Sequence, residues 1–190
     1  MSPRTIEQNE LIREGKRKHI MDAALDLFSN RGFHATSIEQ IAQKASISKG
    51  LMYNYFPSKE ELMRSIVVSG YEKLNEAFDP DHDGILTRDE LILYINDVLA
   101  QINSNPLYWK LYFSLTMQPE VLKEYLLPLA ERGQNVFTML VNYFQRKGAE
   151  NPVVEAYFFS SVMKGVSMLY LFDPNYPIKE IRKILFQRFL

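Results

Sequence analysis

Two stretches of this 190-residue chain carry side chains that could do chemistry. In the first, Asp79-Pro80-Asp81-His82-Asp83-Gly84-Ile85-Leu86-Thr87-Arg88-Asp89-Glu90, carboxylates fall at alternate positions, a glycine follows the third, and a glutamate closes the run. Asp79, Asp81 and Asp83 would offer hard oxygen ligands, and Gly84 would let the chain bend sharply around them. Ile85 would add its backbone carbonyl, Thr87 a hydroxyl or a bound water, and Glu90 a bidentate carboxylate. Such an oxygen set suits calcium. In the second stretch, Lys49-Gly50-Leu51-Met52-Tyr53-Asn54-Tyr55, a cation, bare backbone, phenols and an amide accompany two apolar residues. Those polar groups are the kind that contact phosphates and base edges in a major groove.

The second stretch needs a scaffold, and its flanks supply one. From Thr36 to Lys59 the sequence reads as two short helices joined by a tight turn. Ser37 can cap the first, with Gln40 three residues on as its capping-box partner. Ile38, Ile41 and Ala42 give it an apolar stripe. Ala45-Ser46-Ile47-Ser48 breaks that stripe and offers a new cap at Ser48. The next helix, 49–55, must stop near Pro57, because the residue before proline disfavours helix. Leu51, Met52 and Phe56 can pack inward. The physical reading is a helix-turn-helix with 49–55 as its recognition helix. The plainer alternative is a helical hairpin with no nucleic-acid role.

The run GFHATSIEQIAQKASISKGLMYNYFPSKEELM resembles the DNA-binding signature of TetR-family transcriptional repressors. Its marks are a glycine-aromatic step, Thr-Ser before the first helix, Ser-Lys-Gly opening the second, a Tyr-x-x-Phe close, and Ser-Lys-Glu-Glu-Leu starting the next helix. The resemblance is dense over 20–63, roughly a quarter of the chain. Two departures stand out: Ser46, where the family usually has glycine in the turn, and Pro57, commonly polar or basic there. The expected DNA contacts are Ser37, Ser48, Lys49, Gly50, Tyr53, Asn54, Tyr55 and Lys59, with Ser37 and Lys59 on phosphates. The resemblance also implies a helical body that encloses a small hydrophobic effector. Trp109, Tyr112, Phe113, Phe159 and Met163 are candidates to line that pocket, although aromatics at helical spacing are more often core. It implies, too, a homodimer formed by the last two long helices, 152–190, acting on a palindromic operator.

Composition fits an all-α globular protein with a sizeable core: 46% hydrophobic residues and a net charge of −1. The charge is uneven. Residues 1–59 hold nine Lys/Arg against six Asp/Glu, and the remainder thirteen against seventeen. A basic front agrees with docking on phosphate; Arg4, Arg13 and Lys16-Arg17-Lys18 could approach it. There is no cysteine, hence no disulfide or thiolate chemistry, which suits a cytoplasmic setting. The N-terminus lacks an apolar signal-peptide core. No uncharged apolar run is long enough to span a bilayer; the nearest, 156–172, is interrupted by Lys164.

In chain order, residues 1–13 read as a loose arm or an early helical turn. Ile20, Ala23, Ala24, Leu27 and Phe28 predict an amphipathic helix over 16–30 ended by Gly32, with Phe33 plugging the core. Ser58 and Glu61 form a second capping box and open a helix to 78, with Leu62, Ile66, Tyr71, Leu74 and Phe78 on its buried side. Further helices are expected at 87–104, 106–117, 119–127, 128–147, 152–172 and 177–190, several opening at proline. Tyr157, Phe158, Val162, Val166, Leu169 and Tyr170 leave little polar face on the penultimate helix, and Ile181, Ile184, Leu185, Phe189 and Leu190 repeat the pattern. The domains expected are a DNA-binding head, 1–59, and a regulatory and dimerisation body, 60–190.

The acidic run matches D-x-D-x-D-G-x5-E and resembles the calcium loop of an EF-hand, with Leu86 at the usual apolar position. Glu76-Ala77-Phe78 would close an entering helix and 91–95 open an exiting one. A rival explanation needs no metal: Thr87-Arg88-Asp89-Glu90 is itself a capping box, and Asp and Gly favour turns. Only one such loop occurs, which lowers the affinity expected. His19, His34 and His82 are scattered and the serines serve as caps, so no enzyme is expected. The reading is a DNA-binding regulator with calcium and small-ligand control. The alternative is a calcium-responsive helical protein-binding module whose helix-turn-helix no longer binds DNA.

Overall fold

A computed structural model describes residues 6–116 and 127–190. Among them every regular element is a helix: α1 Ile6–Arg31, α2 Ile38–Lys44, α3 Lys49–Tyr55, α4 Lys59–Phe78, α5 Arg88–Ser104, α6 Pro106–Thr116, α7 Leu127–Arg146, α8 Pro152–Phe172 and α9 Ile178–Phe189. The chain divides into two compact units with the boundary between Ser69 and Gly70, inside α4. No described helix is long and apolar enough to cross a membrane. The helix expected at 119–127, together with Arg4 and the side chains of Leu74, Glu76 and Ala77, lies outside the described residues.

Helix α1 begins ten residues earlier than the apolar period indicates. Its first turns are rich in Glu, Gln, Lys and Arg, which tolerate helix without burying anything, and Leu11 and Ile12 remain exposed there. From Ile20 onward the expected positions turn inward: Ile20, Ala23, Ala24, Leu27 and Phe28 are all buried. Gly32 ends the helix at φ +85°, its N–H reaching the Phe28 carbonyl at 3.0 Å. Phe33 is not the core plug expected of it. It lies half-buried at the rim, its ring 5.3 Å from that of Phe28.

Helix α2 starts with the capping box anticipated at Ser37 and Gln40, both halves present. Its end is a Schellman motif: Ile47 N–H reaches the Ala42 carbonyl at 2.9 Å, and Ser46 N–H that of Gln43 at 3.1 Å. This motif places Ser46 at φ +53°, a left-handed position that glycine normally fills. Helix α7 closes with the same bonds around Gly148 at φ +78°, where no such conflict exists.

In the second unit α8 is the central helix, packed by α5, α6, α7 and α9. Phe159 sits fully buried among Phe144 at 6.3 Å, Phe189 at 5.0 Å and Tyr94 at 6.3 Å. The last helix is fastened at its carbonyl end: Tyr143 Oη and Lys147 Nζ donate to the Phe189 carbonyl at 3.2 and 3.1 Å. Replacing Ser46 by glycine should relieve the left-handed strain. Chemical denaturation should show a gain of about 0.5–1 kcal/mol in stability.

Candidate nucleic-acid interface

Helix α3 is seven residues long and has one face in the core and one in solvent. Ser48 caps it, its hydroxyl accepting from Leu51 N–H at 3.1 Å. Met52 and Phe56 are fully buried, and Leu51 and Tyr55 half-buried. Lys49, Gly50, Tyr53 and Asn54 are exposed, so the cation, bare backbone, phenol and amide share the open side. A Cβ on Gly50 would meet nothing within 4 Å, so packing within the chain does not require glycine there. Ser37 Oγ accepts from Gln40 N–H at 3.3 Å, which leaves its own proton available to an acceptor outside the chain.

The cations of this unit divide into two groups. Arg17 is half-buried and works inward: its guanidinium donates to the Tyr55 carbonyl at 3.3 Å and to Ser65 Oγ at 2.8 Å, and lies 4.4 Å above the Phe56 ring. Lys59 likewise donates to the carbonyls of Phe33 and Thr36, each at 2.9 Å, over the face of Phe33. Two of its three N–H groups are spent on backbone, so the phosphate contact expected of it is left to the third. Lys44 pairs with Asp26 and ties α2 to α1. Lys49 remains at the surface, paired with Glu39 of α2. Their hydrogen bond, and then their mutual charge, lowers the Glu39 pKa and raises that of Lys49.

Three of the six expected metal ligands come together. Carboxylate oxygens of Asp79, Asp81 and Asp83 lie within 4.8 Å of one another. Gly84 bends the loop at φ +75°, its N–H pointing to Asp79 Oδ2 at 3.3 Å, while Ile85 N–H reaches Asp83 Oδ1 at 2.6 Å. Glu90 stands apart from this cluster. Its carboxylate accepts from Thr87 N–H at 2.7 Å, and Thr87 Oγ1 accepts from Glu90 N–H at 3.2 Å, the capping box that competes with metal ligation. Leu86 is fully buried and its carbonyl accepts from Arg146 at 2.6 Å, which anchors the loop to α7. One atom is unaccounted for: Asp79 Oδ1 is buried with no hydrogen-bond partner. Of the five pocket candidates, Trp109, Phe113, Phe159 and Met163 are closed into the core. Tyr112 is half-buried.

Comparison with known proteins bears on the head. Residues 20–66 match the model for bacterial regulatory proteins of the tetR family. The HTH-type transcriptional regulator YuxN of Bacillus subtilis is 47% identical over 58 residues, 30% of this chain and 20% of its own length. The HTH-type transcriptional regulator RutR of Escherichia coli K12 is 52% identical over 52 residues, 27% of this chain and 24% of its own. The chain thus spans about a quarter or less of these two relatives. The solved structure of a TetR-like transcriptional regulator from Rhodococcus sp. RHA1 aligns with 98% of the chain and 95% of its own, at 23% identity and a TM-score of 0.74. At that identity the likeness is one of fold, and it extends over both units. The names that these comparisons give are those of transcriptional regulators rather than enzymes, in keeping with the expectation of no enzymatic activity.

Three residues before the tetR-type segment, Arg17 stands in sequence beside Lys16 and Lys18 as one of a trio expected to approach phosphate, yet it works inward. A signal was present: Arg17 stands three residues before Ile20 and seven before Ala24, on the same helical face as the core. The Lys49–Glu39 pair spans ten residues across a turn and had no local signal. Lys59→Ala should destabilise the fold, because it strips two charge-assisted hydrogen bonds from half-buried carbonyls. A loss of about 2 kcal/mol is expected by denaturation, whether or not DNA is present.

Proposed function

We propose that this chain is a DNA-binding transcriptional regulator, acting as a repressor, that docks α3 in the major groove. The observation that carries the proposal is the exposed face of α3 within the tetR-type segment. Lys49, Tyr53 and Asn54 are turned away from the core at one-turn spacing, and Ser37 and Ser48 stand at the two helix starts that would approach phosphates.

Action on a palindrome needs a second copy, and α8 and α9 support one. Val153, Val154, Tyr157, Phe158, Leu169 and Phe172 of α8 and Ile184 of α9 are exposed large apolar residues. A stripe of this kind favours association. Gly165 lies along it, and a Cβ there would meet nothing within 4 Å, so the glycine is not required by packing within the chain. Close approach of a partner helix would give it a use.

Selection from random-sequence DNA followed by gel shift tests the reading. A palindromic site should emerge, and Asn54→Ala should change which sites are preferred. Lys49→Ala should weaken binding to all sequences and flatten the dependence of log K on log salt by about one unit. Failure to enrich any palindrome, with or without calcium, would favour a calcium-responsive protein-binding module instead.

Calcium is the second element of the proposal. The buried, partnerless Asp79 Oδ1 beside the carboxylates of Asp81 and Asp83 favours a cation, since an unpaired buried oxygen of this kind is costly. Glu90 would have to leave its cap to complete the set, and Ile85 and Thr87 would add a carbonyl and a hydroxyl or water. Calorimetry should then find one calcium per chain, abolished by Asp79→Ala and strongly weakened by Glu90→Gln, with magnesium competing poorly. A flat titration at millimolar calcium would leave the loop as a capped turn.

A further inference from the structure

The two helices of the candidate interface are almost without negative charge. Between Asp26 and Glu60 the chain holds one carboxylate, that of Glu39, the second residue of α2. It stands at the surface, and Lys49 Nζ, from the first residue of α3, donates to its Oε1. The Glu39 and Lys49 side chains are 64% and 52% exposed, so packing holds neither in place. Helix stability does not call for the lysine either, since a cation in the first turn opposes the helix dipole. The hydrogen bond to Glu39 and its charge raise the Lys49 pKa most, and the Tyr53 phenol adds to them, so the pair lies near a side chain of the open face of α3. The other lysine of these helices, Lys44, is engaged by Asp26 of α1. In the free protein, then, both lysines of α2 and α3 are occupied by carboxylates.

Docking on DNA disturbs the Lys49–Glu39 pair, and the consequence depends on sequence. A phosphate competes well for Lys49, because an exposed ion pair is worth little in water. Once Lys49 turns to the backbone, the Glu39 carboxylate is left without a partner at the surface of a polyanion. A carboxylate only accepts hydrogen bonds. In the major groove guanine shows N7 and O6, and thymine O4, all acceptors that repel it. Adenine offers its N6 amine, but between two acceptors, its own N7 and the O4 of the paired thymine. The N4 amine of cytosine has an acceptor on one side only, the O6 of its guanine, which makes it the least opposed donor.

We infer that Glu39 is a specificity-determining residue of the head, its carboxylate accepting from the N4 amine of a cytosine once Lys49 is drawn to a phosphate. The inference rests on docking of α3 in the major groove and names a base that the docked head selects. Any other base at that position leaves the charge unpaired, so Glu39 works chiefly by weakening the wrong complexes. Its pairing with Lys49 neutralises the carboxylate until then, which limits repulsion from DNA during approach.

Selection from random-sequence DNA, run in parallel on the full wild-type chain and on Glu39→Gln, tests this role. The wild-type palindrome should hold a cytosine at one position of each half-site, and replacing that C·G pair by T·A should weaken binding about tenfold. Glu39→Gln should relax that position, leaving a penalty of less than about threefold, while the other positions keep their preferences. Its binding to random-sequence DNA should tighten by about three- to tenfold, since a negative charge leaves the interface. Asn54→Ala serves as the control and should relax a different position. Thermal unfolding should be the same in wild type and Glu39→Gln, because both partners of the pair are exposed. A wild-type palindrome without such a cytosine, or unaltered preferences in Glu39→Gln, would overturn the role of Glu39 and leave DNA binding standing. A markedly lower unfolding midpoint in Glu39→Gln would make the pair a structural one and overturn it as well. Failure to select any palindrome counts instead against the DNA-binding reading, and the role of Glu39 falls with it.

Discussion

A seven-residue helix cannot hold itself together in water, and the first unit of this protein is built around that constraint. Fixing the first turn costs more than the few hydrogen bonds of so short a segment return. Helix α3 therefore depends on outside contacts at both ends and along one side. Ser48 satisfies a free N–H at its start, and Arg17 meets the Tyr55 carbonyl at its finish, where the helix dipole favours a cation. Met52 and Phe56 are fully buried, each adding about 1.5–3 kcal/mol by leaving water. What remains on the open side is exposed, and Gly50 among it is not required by packing within the chain.

The same logic explains why a basic front need not be a row of phosphate contacts. Arg17 and Lys59 contribute to the positive balance of the first unit, yet their donors are directed to carbonyls and a hydroxyl of the fold. Both cations also lie over aromatic faces, Phe56 and Phe33 respectively, which adds attraction without displacing those hydrogen bonds. Lys49 differs. It is exposed and its partner is another exposed charge, a pairing of small worth in water that a phosphate could displace.

The second unit is organised around the opposite problem, polar atoms within an apolar helical body. Some are satisfied by design of the chain: Tyr143 and Lys147 share the Phe189 carbonyl, and Arg146 takes that of Leu86. Others are left open, namely Tyr71 Oη and Asp79 Oδ1. A native fold keeps few such atoms, and these two stand beside further groups of their own chemistry, phenols in one case and carboxylates in the other. Their neighbourhoods, rather than the atoms alone, are what make them informative.

How much was legible beforehand follows from the range of the interactions involved. Ser37 with Gln40, Ser48 with Leu51, Ser58 with Glu61 and Thr87 with Glu90 all act over three residues, so the sequence by itself determined where those helices begin. The alternation of Asp79, Asp81 and Asp83 likewise fixed their convergence, because a turn bent at Gly84 has few other ways to arrange them. What only the tertiary structure decided lies in contacts between distant positions. Arg17 meets a carbonyl 38 residues away and Lys59 one 26 residues away. Which aromatics are sealed and which stay exposed depended on how four helices close on α8, and periodicity carries no record of that: Phe159 and Tyr157 read alike in sequence, yet one is at the centre of the core and the other is largely exposed, against Phe137. Local hydrogen bonds are set by spacing along the chain, whereas burial is set by what other elements place against it.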